Sequence, residues 1–151
     1  MSRKEAQEKG LKEIPAEKIP PFNRLIGLRC IRAGAGQAEI SLELRPEHRN
    51  RRGVAHGGLL SAMLDSALGS AVVSGIRAEE WCGTAQLSVQ FRHPATGPVL
   101  KGRGRMERRG RRIAFADGEV VDAGGKIVAS AHGTWYIWPA HPGTPPEGTA
   151  S

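Results

Sequence analysis

Two hydrophobic periods alternate along this chain. In residues 37–44 Ala38, Ile40, Leu42 and Leu44 oppose Gln37, Glu39, Ser41 and Glu43, and such strict alternation marks a half-buried strand. Residues 84–92 repeat it, with Ala85, Leu87, Val89 and Phe91 opposed to Thr84, Gln86, Ser88, Gln90 and Arg92. Residues 99–106 and 111–121 read as the arms of a hairpin about Arg109 and Gly110, in which Gly102, Gly104 and Gly118 suggest bulges. A turn at 123–126 leads to a last strand at 127–138, and a first strand around 27–31 reaches residue 37 through the tight turn Ala33, Gly34, Ala35, Gly36. Residues 57–74 differ. Leu59, Leu60, Ala62, Met63, Leu64, Ala67, Leu68 and Ala71 are helix formers, and no proline interrupts them. The spacing predicts a helix of about five turns. Its apolar positions fall on all sides, the pattern of a helix enclosed by protein.

The predicted order is two strands, one long helix and four strands. Hairpin-length connections imply antiparallel pairing, so the fold class is α+β, with a sheet of about six strands wrapped around a central helix. The outer side of that sheet is expected to keep apolar residues and to meet another subunit. A chain of 151 residues suits one domain, assigned to residues 21–138. Residues 1–20 are read as an extension forming a short, frayed helix, and residues 139–151, rich in Pro, Gly and Thr, as a disordered tail. The first twenty residues have no apolar core of a secretory signal. Cys30 and Cys82 lack metal-ligand spacing and read as reduced packing residues of a cytoplasmic protein. Asp65 and the glycines and serines of the helix argue against a membrane span.

The formal charge is +7. Lys101, Arg103, Arg105, Arg108, Arg109, Arg111 and Arg112 crowd one predicted hairpin, and Arg49, Arg51 and Arg52 flank Asn50. Most such side chains are solvated surface. Nucleic acid is the competing anionic partner, but aromatic residues make up only 5% of the chain and no reading helix is evident, so it is not expected to bind.

Two features of the helix carry chemistry. Gly57 and Gly58 stand at its amino end, where backbone amides lack helical partners and the dipole favours negative charge. Such an end suits an oxygen that becomes negative. Asp65 lies about two turns further in, among apolar neighbours, where a carboxylate requires pairing or a cavity. A structural hydrogen bond and a general base or nucleophile explain it equally well. His56 alone reads as a cap or core residue; its setting between Asn50, Gly53 and the glycines adds a second meaning.

These residues resemble the hotdog-fold thioesterases of the phenylacetate-degradation (PaaI-like) type. The match is carried by Asn50, Gly53, His56, Gly57 and Gly58 in the pattern Asn-x-x-Gly-x-x-His-Gly-Gly, by Asp65 eight residues past Gly57, and by Thr84. It covers roughly residues 21–138. The resemblance implies hydrolysis of an acyl-CoA thioester at a dimer interface, with no metal and no cofactor beyond the CoA of the substrate. It implies that the Gly57 amide polarises the carbonyl, that Asn50 and His56 orient the thioester, that Asp65 activates water or attacks, and that Thr84 positions that water. Gly58, Ser61, Leu64 and Leu68 are expected along the acyl pocket, and Arg108 and Arg109 at the CoA phosphates. Aryl and medium aliphatic acyl groups both remain open, as do homodimer and homotetramer. A non-catalytic acyl-CoA-binding protein on the same fold is the alternative. Gly57 and Asp65 are separated by about 12 Å along the helix axis. One carbonyl cannot touch both, so the acid is expected from a second chain.

Overall fold

The computed structural model describes residues 10–143. The chain forms the strands β1 (Lys12–Glu13), β2 (Leu28–Gly34), β3 (Gln37–Glu43), β4 (Trp81–Phe91), β5 (Val99–Arg109), β6 (Ile113–Val121) and β7 (Ile127–Trp138), with helices α1 (Pro21–Ile26) and α2 (Gly57–Gly75). All seven strands pair antiparallel in one sheet of order β1-β2-β3-β5-β6-β7-β4. The sheet curls around α2, as the hotdog resemblance implies.

The amino-terminal stretch departs from expectation. In place of a frayed helix, Lys12 and Glu13 pair with Ala33 and Arg32, and the Ile14 amide continues the pairing to the Ile31 carbonyl at 3.0 Å. Pro15 biases the residue before it towards extended backbone, and the edge of β2 supplies the partners. Ala16–Lys18 then makes a single 3-10 turn. The expected start of the first strand at Gly27 is instead the end of α1: Pro21 opens that helix and Gly27, at φ 73°, closes it in the left-handed conformation. Residues 1–9 and 144–151, which hold the rest of the expected extension and most of the expected tail, lie outside the described residues. At the start of that tail the His141 ring stands edge-on to Trp81, with centroids 4.1 Å apart.

Helix α2 buries one stripe, Leu59, Leu60, Met63, Leu64, Ala67, Leu68, Ala71 and Val72, against the sheet. Its other face, Ser61, Ala62, Asp65, Ser66, Gly69 and Ser70, is only half-buried, and Val73 is 60% exposed. The helix is thus not enclosed by its own chain. The apolar pattern misled because Ala62 and Val73 lie on the open side. By length and composition α2 could also cross a membrane, yet its stripe is the centre of the core shared with Leu28, Ile40, Leu42, Leu100, Val120, Val128, Trp135 and Ile137.

Gly102, Gly104 and Gly118 do not form bulges. They face the helix, where a Cβ on Gly104 would strike the Ala67 carbonyl and one on Gly118 the Leu68 side chain, so they are close-approach positions. The register shifts fall elsewhere, among them one between Met106 and Arg108 in β5 and one between Thr84 and Gln86 in β4. Each shifts the alternation by one residue and so exchanges the faces of the side chains beyond it. Arg109 now pairs with buried Ala114, which puts it on the inner side of the sheet. There its guanidinium grips Glu80 through two bonds of 2.7 and 2.9 Å, while Arg77 adds its own side chain at 3.0 Å and its amide at 2.8 Å. Only 2% of the Glu80 side chain is exposed. This clamp ties the α2–β4 connection to the β5–β6 hairpin.

The outer side of the sheet keeps some exposed apolar residues, as expected, beside a charged concavity. A concavity of about 960 Å³ there is lined by Arg92, Lys101, Arg103, Arg105, Glu39 and Asp117 among others, and apolar Trp81, Ile113 and Phe115 gather towards one end.

The bonds from Arg109, and next the Arg77 amide, hold the Glu80 carboxyl down to about 2 from its ordinary value of 4.5. A carboxyl depressed in the folded chain contributes stability above its unfolded value, and that contribution disappears as pH falls from 4.5 through about 2. Glu80→Gln is therefore expected to unfold at lower urea than the parent at pH 7, with the difference shrinking as the pH approaches 2; equal midpoints at pH 7 would contradict the clamp. Gly104→Val is expected to cost roughly 1–3 kcal/mol or more, read from the same urea curves, because the strand cannot recede from Ala67 without opening the core.

Candidate active site at the amino end of the central helix

The loop before α2 is built from backbone bonds and closed by the side chains of His48, Asn50 and Arg49, the last donating to the Gly53 carbonyl at 2.8 Å. Asn50 donates its amide to the Val54 carbonyl at 2.8 Å, and its own carbonyl accepts from Gly53 at 3.0 Å, a turn that needs Gly53 at φ 77°. The Asn50 Oδ1 accepts from the Arg52 amide at 2.9 Å. Among the described residues nothing accepts from its Nδ2, which leaves that amide group free to donate. His48, buried, takes the Arg45 amide on Nδ1 at 2.9 Å and gives its carbonyl to the His56 amide at 2.9 Å. The loop is also stitched to the β4–β5 connection by the Ala55 amide on the Ala95 carbonyl at 2.8 Å.

His56 is the N-cap of α2. Its Nδ1 accepts from the Gly58 amide at 2.8 Å, so in the neutral ring the proton sits on Nε2, available as a donor. Its carbonyl takes the amides of Leu59 at 2.9 Å and Leu60 at 3.3 Å. Of the amides in the first turn, only that of Gly57 lacks an acceptor among the described residues. It opens on a cleft of about 380 Å³, floored by Val54, Ala55, Leu60 and Ala95 and rimmed by Asn50, Arg52, Phe91 and His93. A free amide at a helix amino end is a donor for a carbonyl oxygen that gains negative charge.

Asp65 is not the buried acid its neighbours in sequence suggested. It stands half-exposed on the open face of α2, and Thr84 donates Oγ1 to its Oδ1 at 2.7 Å. That contact depends on the β4 bulge. Alternation alone set Thr84 opposite Leu87 and Val89; the extra residue at Ala85 returns it to the helix side, where it pairs with buried Trp135. Cys82 shares this surface, its thiol pushed up first by burial and then by the Asp65 charge. Burial likewise raises Cys30 against a lowering bond from Ser70. Both thiols are free and fit the packing role expected of them.

The chain thus gathers Asn50, His56, Gly57 and Gly58 at one place and Asp65 with Thr84 at another. The remaining expected residues divide. Ser61 donates to the Gly57 carbonyl at 3.0 Å and steadies the first turn. Leu64 and Leu68 are fully buried against the sheet and cannot line an acyl pocket; they belong to the stripe that the even spread of apolar residues concealed. Arg109 is held by Glu80, and Arg108, turned outward by the bulge beside Phe115, is not among the residues of the cleft. Arg52 occupies the rim instead. Phe91, His93 and Leu60 also border the cleft and had no local signal beyond their places in a strand, a turn and an apolar run.

A family model described as the thioesterase superfamily matches residues 52–129. A Pseudomonas aeruginosa protein named, by inference, as an esterase is 31% identical over 125 residues, which is 82% of this chain and 92% of that protein. A conserved protein of Pseudomonas aeruginosa superposes with a TM-score of 0.78 at 28% identity, covering 82% of this chain and 100% of that one. The phenylacetic acid degradation protein PaaI of Thermus thermophilus, in a mutant form, gives 0.71 at 29% identity over 78% of this chain and 98% of its own. With the curled sheet, the capped helix and these likenesses in place, the chain belongs to the thioesterase superfamily and has the hotdog fold of its PaaI-like members.

Proposed function

We propose that this protein is a cytoplasmic acyl-CoA thioesterase that works as a homodimer or homotetramer and needs no metal or redox cofactor. The observation that carries the reading is the Gly57 amide, unpaired among the described residues and facing an open cleft. The thioester carbonyl accepts from that amide, and the Asn50 Nδ2 and His56 Nε2–H lie on the same end of the helix to orient it. The reading is supported from the other side by Asp65, whose Oδ1 is fixed by Thr84 at 2.7 Å while the rest of the carboxylate stays accessible. The separation of about 12 Å along α2 requires the acid to come from a second copy. The edge of the sheet offers the means: β4 is eleven residues long and pairs only with β7 among the described strands, an edge that invites a strand from another chain.

As general base, Asp65 takes a proton from water while the water oxygen bonds to the carbonyl carbon. The developing oxyanion rests on the Gly57 amide. Collapse breaks the C–S bond, and the departing CoA thiolate receives the proton that Asp65 holds. Acting as nucleophile, Asp65 would instead form a mixed anhydride that water then cleaves, with the same products. Arg52, on the cleft rim, takes the phosphate-binding role first expected of Arg108 and Arg109.

Asp65→Asn is expected to lower kcat on acyl-CoA by about 10²–10⁴-fold with fold and self-association unchanged, and undiminished thiol release would remove Asp65 from the reaction. Thr84→Ala is expected to lower kcat by a smaller factor with little change in KM, and a chelator to leave turnover unaffected. Ligand-induced stabilisation without hydrolysis across aryl, short and long acyl-CoA esters would support the binding-protein alternative instead.

A further inference from the structure

We infer that Phe91 is the specificity-determining residue of the cleft, a wall against which the acyl group of the substrate lies flat. This deepens the thioesterase reading and rests on it. Three observations converge. A Cβ placed on Gly57 would stand 3.3 Å from Cε1 and 3.4 Å from Cζ of Phe91, so the ring edge lies directly beside the residue whose free amide receives the carbonyl. Gly57 has no unusual φ; what the position demands of its side chain is room for this ring. Second, Phe91 is 57% exposed although it is on the inner side of β4, paired with fully buried Ala129. Its neighbours on that face, Leu87 and Val89, pack on the core. Phe91 therefore holds an apolar surface open at the place where chemistry is proposed. Third, the cleft is shallow within the chain. Its floor is closed by Ala55 and Ala95, 5% and 1% exposed, which are bonded to each other through backbone. A long flexible chain finds no tunnel there. A compact planar group meets an aromatic ring on one side and Val54, Leu60 and Pro94 on the others, and aromatic pairs gain from stacked or edge-to-face contact beyond the area they bury.

The consequence is a preference among acyl groups that resides in one side chain. The ring also keeps water from the oxygen bound at Gly57, a task an aliphatic side chain of similar size can share. The test compares Phe91→Ala and Phe91→Leu with the parent on benzoyl-CoA and butyryl-CoA, with oligomeric state measured on the same samples. Phe91→Ala is expected to lower kcat/KM for benzoyl-CoA by at least about tenfold and to reduce the ratio of aryl to alkyl turnover. Phe91→Leu is expected to recover the butyryl-CoA rate but not the ratio. Unchanged ratios in both variants, with the parent active, would overturn the assignment and leave the thioesterase reading standing. Activity lost with self-association and regained at high protein concentration would also overturn it, by assigning the ring to a subunit contact. A parent inactive on both esters would instead count against the underlying reading.

Discussion

The structure depends on one packing constraint: helix α2 must lie close enough to the sheet to bury its stripe from Leu59 to Val72. Gly104 and Gly118 permit this, because any side chain on them would occupy the space of Ala67 or Leu68. The stripe takes half of the helix and leaves the other half uncovered. Asp65 stands on that uncovered half, and the amino end of the same helix opens on the cleft. A fold with the helix fully enclosed would have sealed both.

The second determinant is register. A strand's alternation assigns faces only until a bulge resets it. The bulge at Ala85 turns Thr84 towards Asp65, and the bulge at Glu107 turns Arg109 inward to Glu80 and Arg108 outward. One bulge therefore completes a polar pair near the proposed chemistry. The other builds a buried ion pair that fixes the connection after the helix.

Much of this was legible in the sequence for physical reasons. Strict alternation in residues 37–44 placed β3, and the tight turn through Ala35 and Gly36 placed its partner, because both turn residues adopt positive φ. The proline-free apolar run gave α2, and Gly57 and Gly58 marked its functional end. What stayed hidden was what depends on the third dimension. Ala62 and Val73 carry the same apolar signal as the buried stripe, so the open face of α2 could not be told from the closed one. Glycine marks both bulges and close approaches, and here Gly102, Gly104 and Gly118 are approaches. Leu64, Leu68 and Arg109 are expected at the substrate from sequence alone, yet the first two complete the core and the third is neutralised by Glu80. Alternation put Phe91 on the face of Leu87 and Val89, where it lies, but its place beside Gly57 comes from a contact distant in sequence, for which a local pattern holds no sign.

The central claim is that a working site joins the Gly57 amide of one chain to the Asp65 of another. Gly57→Pro removes that amide hydrogen at the first helical position, whose backbone suits proline, at the cost of moving the exposed Phe91 ring aside by a few tenths of an ångström, and Asp65→Asn removes the acid. Each variant alone is expected to be nearly inactive on acyl-CoA. Mixed in equal amounts under conditions of subunit exchange, they form hybrids in which one site is intact, and thiol release is expected to recover to about a quarter of the parent rate. No recovery at any mixing ratio, with both variants folded, self-associated and exchanging, would contradict a site shared between chains.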